Sequence, residues 1–315
     1  MKIVLLESLG ISQEILDQYA QKLKAKGHTF ENYPKDTDPK VQIEHAKDAD
    51  ILMIANMPLS GEVIRACKNL KFIDVAFTGV DHVDLAAAKE MGVKVSNAAG
   101  YSTQAVAEIA LCMMLSLLRN IPQVEERCRE GKTKDGLVGC ELRGKTVGIV
   151  GAGAIGCRSA ELCHAFGCKV LGYKRHVKGD EPSFIEFVSL DELLSRSDIV
   201  SLHCPINEDS KHLVNAQTIS KMKKGAYLIN TARGPVVDSQ ALADALNNGY
   251  LSGARIDVFE KEPPLDTDHP LLHSKNTIVT PHVAFASAES MIARADIVFD
   301  NIEAFLSGNQ KNIIL

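Results

Sequence analysis

Short runs of β-rich apolar residues alternate along this chain with amphipathic segments whose apolar positions recur every three or four residues. Continuous apolar runs suit strands buried on both faces, and the amphipathic segments suit helices that cover those faces. The first third predicts strands over 3–6, 29–33, 51–55, 72–76 and 93–96, with helices between them. Gly27 and Gly92 stand where helix C-caps are expected, and Ser60 and Asp84 where N-caps are expected. Asn97-Ala98-Ala99-Gly100 breaks the pattern.

A long amphipathic helix over 102–120 is expected next, ending before Pro122. Gly131, Gly136, Gly139 and Gly144 then read as a loop region. A second series starts at Lys145, with strands predicted over 146–150, 169–173, 199–203, 226–230, 254–258 and 277–280. A final helix over 287–306 ends at Gly308. Strands that alternate with helices pack as parallel sheets. The expected fold is therefore α/β, with two Rossmann-like domains built on doubly wound parallel sheets. The first series suits a flavodoxin-like sheet, and the six strands of the second suit a dinucleotide-binding sheet.

Composition narrows the class. A chain of 315 residues is long enough for two cores, and 45% hydrophobic with 24% charged residues is ordinary for a globular protein. Lys and Arg number 35 against 40 Asp and Glu, a formal charge of −5, so neither nucleic acid nor an anionic membrane is an expected partner. No run approaches the roughly 18 apolar residues of a membrane span, and the apolar part of Met1-Lys2-Ile3-Val4-Leu5-Leu6-Glu7 is short for a signal peptide. A cytoplasmic protein is expected. The eight cysteines form no C-x-x-C and have no histidine at zinc spacing. They read as reduced thiols in mostly apolar surroundings, with no metal.

Gly151-Ala152-Gly153-Ala154-Ile155-Gly156 matches G-x-G-x-x-G, directly after the apolar run Thr146-Val147-Gly148-Ile149-Val150. Leu162 and Phe166 are expected to share one face of the helix that follows, with Gly167 stopping it. In a strand–turn–helix context Gly151 permits the tight turn, Gly153 lets backbone approach a pyrophosphate, and Gly156 lets the helix pack on the strand. The first-turn N–H groups, at Ala154 and Ile155, would face the phosphates. At the end of the next strand, where an Asp or Glu favours NAD, the chain has Tyr173-Lys174-Arg175-His176, and Asp180 and Glu181 come several residues later. This basic corner predicts NADP over NAD, with Arg175 as the first candidate for the 2′-phosphate and Lys174 turned to solvent.

Three further residues follow predicted strand ends, where open α/β sheets bind ligands. They are Arg233 in Asn230-Thr231-Ala232-Arg233-Gly234, Glu262 in Asp257-Val258-Phe259-Glu260-Lys261-Glu262-Pro263, and His282 in Thr280-Pro281-His282-Val283-Ala284. A guanidinium can hold a carboxylate bidentately and polarise the carbonyl beside it. An imidazole can exchange a hydroxyl proton near neutral pH, and a carboxylate behind it raises its pKa and fixes its orientation.

Together these stretches resemble the D-isomer-specific 2-hydroxyacid dehydrogenase family over nearly the whole chain. Further landmarks are Thr78-Gly79-Val80-Asp81-His82-Val83-Asp84, Gly100-Tyr101-Ser102-Thr103 with Val106-Ala107-Glu108, and Glu141-Leu142-Arg143-Gly144-Lys145. The resemblance implies that Arg233 binds the 2-oxo acid, that His282 is the acid/base, and that Glu262 is its partner. It implies that Gly79 and Val80 hold the substrate carboxylate through backbone N–H groups, with Thr78 also at the substrate. Asp257 and Thr231, Ala232 and Arg233 would lie along the nicotinamide side, with Val106, His282 and Ala284 also on the cofactor. His203, Cys204 and Pro205 would border the adenosine and Ser210 the phosphates. Residues 1–99 with 286–315 would form the substrate domain, and 100–285 the dinucleotide-binding domain. The helix after Ser102 looks like the family's dimer-forming element, so a homodimer is expected.

The implied reaction is reduction of a small 2-oxo acid to a D-2-hydroxy acid, and the reverse, with NAD(P)H. Met53, Leu59, Phe77, Tyr101 and Phe285 are candidates for a largely apolar substrate pocket. Phosphoglycerate dehydrogenase activity is a lower-ranked alternative, since a phosphate needs cations and the loops Asn56-Met57-Pro58-Leu59-Ser60 and Phe77-Thr78-Gly79-Val80 offer none, leaving Arg65 or His82 as the candidates to reach it. A dinucleotide-sensing scaffold of the corepressor type is a second alternative. Formate is disfavoured, because formate dehydrogenases of this fold place Gln where Glu262 stands.

Overall fold

Each apolar run of the first series becomes one strand: β1 (Lys2–Leu5), β2 (Thr29–Asn32), β3 (Ile51–Ile54), β4 (Phe72–Val75) and β5 (Lys94–Asn97). They form one parallel sheet in the order β2-β1-β3-β4-β5. All four residues of β3 and of β4 are buried, as strands covered on both faces must be. The structure, a computed structural model, describes residues 1–177, 179, 181–261 and 265–315. The chain separates into two units, Met1–Ser102 with Ala286–Leu315, and Thr103–Phe285. The five-strand sheet belongs to the first.

Local punctuation works as the residue types require. Ser60 Oγ accepts from Val63 N, and Asp84 Oδ1 accepts from Ala87 N. Gly27 and Gly92 sit at φ +81° and +67° just past helix ends. Ser287 caps the helix Ala288–Leu306, whose end is followed by Gly308 at φ +79°.

The second unit holds β6 (Thr146–Val150), β7 (Lys169–Tyr173), β8 (Ile185–Phe187), β9 (Ile199–Leu202), β10 (Tyr227–Asn230), β11 (Gly253–Ile256) and β12 (Thr277–Val279). Their order is β12-β11-β10-β9-β6-β7-β8, all parallel. The direction of winding reverses between β6 and β9, which opens a crevice at the carboxyl ends of the strands. Apolar clusters cover both faces, one around Leu193, Leu202, Leu228 and Ile256, the other around Met114, Leu117, Ile149 and Ile229.

Four expectations need correction. The sheet has seven strands rather than six. The extra strand, Ile185–Phe187, is three residues long and carries no run that periodicity can detect; it packs its side chains over Gly172 of β7. The long helix ends at Leu118, Asn120 takes φ +51°, and a second helix, Ile121–Arg129, leaves at 62°. Pro122 therefore opens a helix, where its missing N–H costs nothing, instead of ending one. In the helix Ala154–Ala165 the buried face is Gly156, Ser159, Ala160 and Cys163, while Phe166 is exposed. Close packing on the helix Thr103–Leu118 selects small residues there. Of the eight free thiols only Cys67, Cys163 and Cys168 are buried, whereas Cys112, Cys128 and Cys140 are exposed.

Candidate active site

The phosphate loop joins β6 to the helix Ala154–Ala165, and its three glycines answer three different constraints. Gly151 has φ +95°, and a Cβ there would lie 2.5 Å from Cys204 N. A Cβ on Gly156 would lie 2.2 Å from Gly151 O. A Cβ on Gly153 would meet nothing within 4 Å. The first two are glycines because the protein's own backbone is close, and Gly153 faces open space. It is also the N-cap of the helix and offers no side chain to the first-turn N–H groups. Those of Ala154 and Ile155 are thus available to an anion.

Beside the loop, at the ends of β6, β7 and β9, lies a recess of about 320 Å³. Gly151, Tyr173, Lys174, Arg175, Cys204, Pro205 and Ser210 all line it, as do Asn207 and Asp209, which sequence reasoning missed. Ser210 Oγ donates to Pro205 O at 2.7 Å and accepts from Asn207 N at 2.8 Å, so its hydroxyl closes the turn that forms one wall. His203 Nε2 pairs with Ser201 Oγ at 2.9 Å, and its enclosed Nδ1 has no partner among the described residues. Burial pushes its pKa down to about 4.

The basic corner differs from its sequence-based reading. Lys174 does not face solvent: its ammonium pairs with Glu181 and lies 5.5 Å from the centre of the Phe187 ring. Arg175 pairs with Asp209 and donates to Asn207 Oδ1 at 3.3 Å. Two carboxylates therefore reach a corner that the linear sequence shows as purely cationic. One arrives from seven residues downstream and one from another strand end.

Strand register brings the remaining candidates together. Asn230 pairs with Ile256 and Ile256 with Val279, so the turns after β10, β11 and β12 begin side by side. Asn230 shapes the first turn: its Oδ1 accepts from Ala232 N and its Nδ2 donates to Arg233 O, both at 3.0 Å. Gly234 follows, where a Cβ would lie 1.8 Å from Phe259 C. Thr231 Oγ1 is buried without a hydrogen-bond partner among the described residues.

After β12, His282 has φ +54°, a left-handed conformation that costs a non-glycine residue roughly 1–3 kcal/mol. Asp257 sustains it. His282 N donates to Asp257 O at 2.7 Å. The Asp257 carboxylate accepts from Thr280 Oγ1 at 2.6 Å, Val283 N at 2.9 Å and Ala284 N at 2.8 Å. Asp257 is fully buried, and burial raises its pKa although these donors oppose the shift. The His282 ring stands edge-on to Phe285 with 5.4 Å between centroids. Val106 is buried on the first turn of the helix Thr103–Leu118. Glu262 lies outside the described residues.

In the first unit, Thr78, Gly79 and Val80 follow β4, and Thr78 O accepts from Asn97 Nδ2 at 2.7 Å. Met53 and Leu59, expected at a pocket wall, are fully buried core residues. The Arg65 guanidinium is engaged by Glu90 at 2.8 and 3.0 Å. The described residues contain no cluster of metal-ligating side chains.

Residues 111–284 match the family model for the D-isomer specific 2-hydroxyacid dehydrogenase NAD binding domain. The chain is 36% identical to the hydroxypyruvate reductase of Blautia hydrogenotrophica, over 100% of this chain and 99% of that one. The chain belongs to the D-isomer-specific 2-hydroxyacid dehydrogenase family. It is also 39% identical to the glyoxylate reductase of Thermofilum pendens, over 89% and 85% of the two chains. Among solved structures, an acyclic imino acid reductase in complex with NADPH and D-Arg superposes with a TM-score of 0.91 at 30% identity, covering 100% of both chains. As a member of this family the protein is an oxidoreductase that acts on the CH–OH group of 2-hydroxy acids with a nicotinamide dinucleotide. The residues present fit that cofactor. Open space at Gly153 and the unpartnered Thr231 Oγ1 are features that the bare fold does not require.

Proposed function

We propose that the protein reduces a small 2-oxo acid of the glyoxylate and hydroxypyruvate class to its D-2-hydroxy acid, with NADPH favoured over NADH. The reading draws on the two reductases named above. Its main support is the position of Arg233 and His282 just past the carboxyl ends of β10 and β12, the two strands that flank β11 in the sheet that carries the phosphate loop.

The bound dinucleotide supplies the hydride for the carbonyl carbon. Arg233 takes the substrate carboxylate through paired N–H groups and polarises the adjacent carbonyl. His282 gives its proton to the carbonyl oxygen as that becomes a hydroxyl, and recovers it in the reverse direction. Glu262 is the proposed counter-charge behind the imidazole. Gly79 and Val80 bind the carboxylate through backbone N–H groups, neither of which has a hydrogen-bond partner among the described residues.

Arg175 is the proposed reader of the 2′-phosphate, and it must exchange Asp209 for that phosphate to do so. Phosphoglycerate suits the site less well, because Glu90 already engages Arg65. We also propose a homodimer formed through the helix Thr103–Leu118 and its surroundings, where Ile121 and Val138 are exposed. Light scattering on the purified protein tests it.

The functional test follows absorbance at 340 nm with glyoxylate, hydroxypyruvate, pyruvate, longer 2-oxo acids and phosphohydroxypyruvate, each with NADPH and NADH. Oxidation of NADPH with glyoxylate or hydroxypyruvate at the highest kcat/KM is the expected result. No turnover with any acid, or highest activity on the phosphorylated one, would overturn the reading.

A further inference from the structure

The loop Thr78-Gly79-Val80 is fastened to the rest of its unit through the end of β5. Ala98 N donates to Phe77 O at 3.0 Å, and Asn97 Nδ2 donates to Thr78 O at 2.7 Å. The second bond has a geometric consequence. A peptide group is planar and trans, so the carbonyl of Thr78 and the N–H of Gly79 point in opposite directions within one rigid plate. A donor that fixes the Thr78 carbonyl also fixes the direction of the Gly79 N–H. It polarises that N–H as well, since hydrogen bonds in a chain strengthen one another.

Asn97 itself is tightly held. It is 6% exposed and is the last residue of β5, in register with Val75. Asn97 N donates to Asn312 O at 3.1 Å, and Asn97 O accepts from Asn301 Nδ2 at 2.9 Å. Asn301, fully buried, also donates to Asp74 Oδ1 at 2.9 Å and accepts from Asn312 Nδ2 at 2.8 Å. The side-chain amide has one permissible orientation. Its Oδ1 accepts from Ala99 N at 3.3 Å, and a flipped amide would set carbonyl against the Thr78 carbonyl and NH2 against the Ala99 N–H. Asn97 thus joins three things: a buried amide network, the segment that leaves the first unit after β5, and the peptide that precedes Gly79.

We propose that Asn97 is a positioning residue for substrate, aiming the Gly79 N–H at the carboxylate of the 2-oxo acid. The inference rests on the reading of Gly79 and Val80 given above. Asn97 touches neither substrate nor cofactor, so its effect falls on KM for the acid. Chemistry at His282 and affinity for the dinucleotide stay as they are.

The test compares a 2-oxo acid with its neutral methyl ester, at saturating cofactor, in the full-length protein and in Asn97→Ala and Asn97→Ser. The serine variant leaves a smaller void and serves if the alanine variant fails to fold. A misdirected hydrogen bond to a charged group should raise KM for the acid about tenfold. KM for the ester, kcat, and the dissociation constant of the cofactor by fluorescence should each change less than about twofold. Wild type with no preference for acid over ester would overturn the carboxylate reading and the role of Asn97 with it. Wild type that prefers the acid, with variants that keep the full preference or lose acid and ester activity equally, would overturn the role of Asn97 alone.

Discussion

His282 and Asp257 are coupled through main chain and side chain together: the His282 N–H donates to the Asp257 carbonyl at 2.7 Å, and the Asp257 carboxylate holds Thr280, Val283 and Ala284 on either side of it. A histidine at φ +54° needs such a frame, because left to itself it relaxes toward negative φ. Asp257→Asn keeps size and one acceptor but sets an NH2 against the N–H of Val283 or Ala284. It should lower kcat by about ten- to a hundredfold while the fold persists. Steady-state kinetics alongside a thermal melt checks this, and unchanged kcat would detach Asp257 from the histidine.

The ion pair between Arg175 and Asp209 sets the second prediction. Both side chains are more than half exposed, at 53% and 74%, so the pair itself adds little stability. Its effect is on cofactor choice, since Asp209 competes with a 2′-phosphate for one guanidinium. Asp209→Asn should raise the ratio of kcat/KM for NADPH over NADH, and Arg175→Ala should lower it about tenfold. Ratios unmoved by either change would show that this corner does not read the phosphate.

The glycines of the phosphate loop should separate folding from binding. Gly153→Ala adds a methyl group in open space, so the melting temperature should hold while KM for the cofactor rises tenfold or more. Gly151→Ala drives a Cβ into the Cys204 backbone at φ +95° and should lower stability by several kcal/mol. Paired melts and cofactor titrations distinguish the two.

His203 links the same region to pH. Its folded pKa of about 4 lies below the ordinary 6.5, so the unfolded chain takes up its proton first as pH falls. The stability from keeping it neutral is present above about pH 6.5 and is lost as pH falls toward 4, by at most about 3 kcal/mol. Chemical denaturation at pH 7, 5.5 and 4.5 should show wild type losing more stability than His203→Gln over that interval. Parallel losses would assign the acid limb to other groups.

Much of this was legible in the chain. The strands of the first unit lie in the flavodoxin-like order expected of five β–α repeats, and Ser60, Asp84, Gly27 and Gly92 cap where their chemistry requires. Local pattern failed where the deciding partner is distant. Lys174 looks solvated until Glu181 folds back on it, and Arg175 looks free until the turn after β9 delivers Asp209. Ile185–Phe187 is a strand only because β7 offers it an edge. Asn97 reads as a break in the pattern, and its place under Thr78 depends on residues more than 200 positions away.

Delivery of the proton by His282 to the reduced carbonyl is tested most directly by turnover of His282→Ala. Cofactor binding is monitored in the same protein by nicotinamide fluorescence. In that variant kcat for 2-oxo acid reduction should fall by about 10²–10⁴ while the dissociation constant of the cofactor stays within a few-fold. Near-full turnover in a folded, cofactor-binding His282→Ala would contradict it.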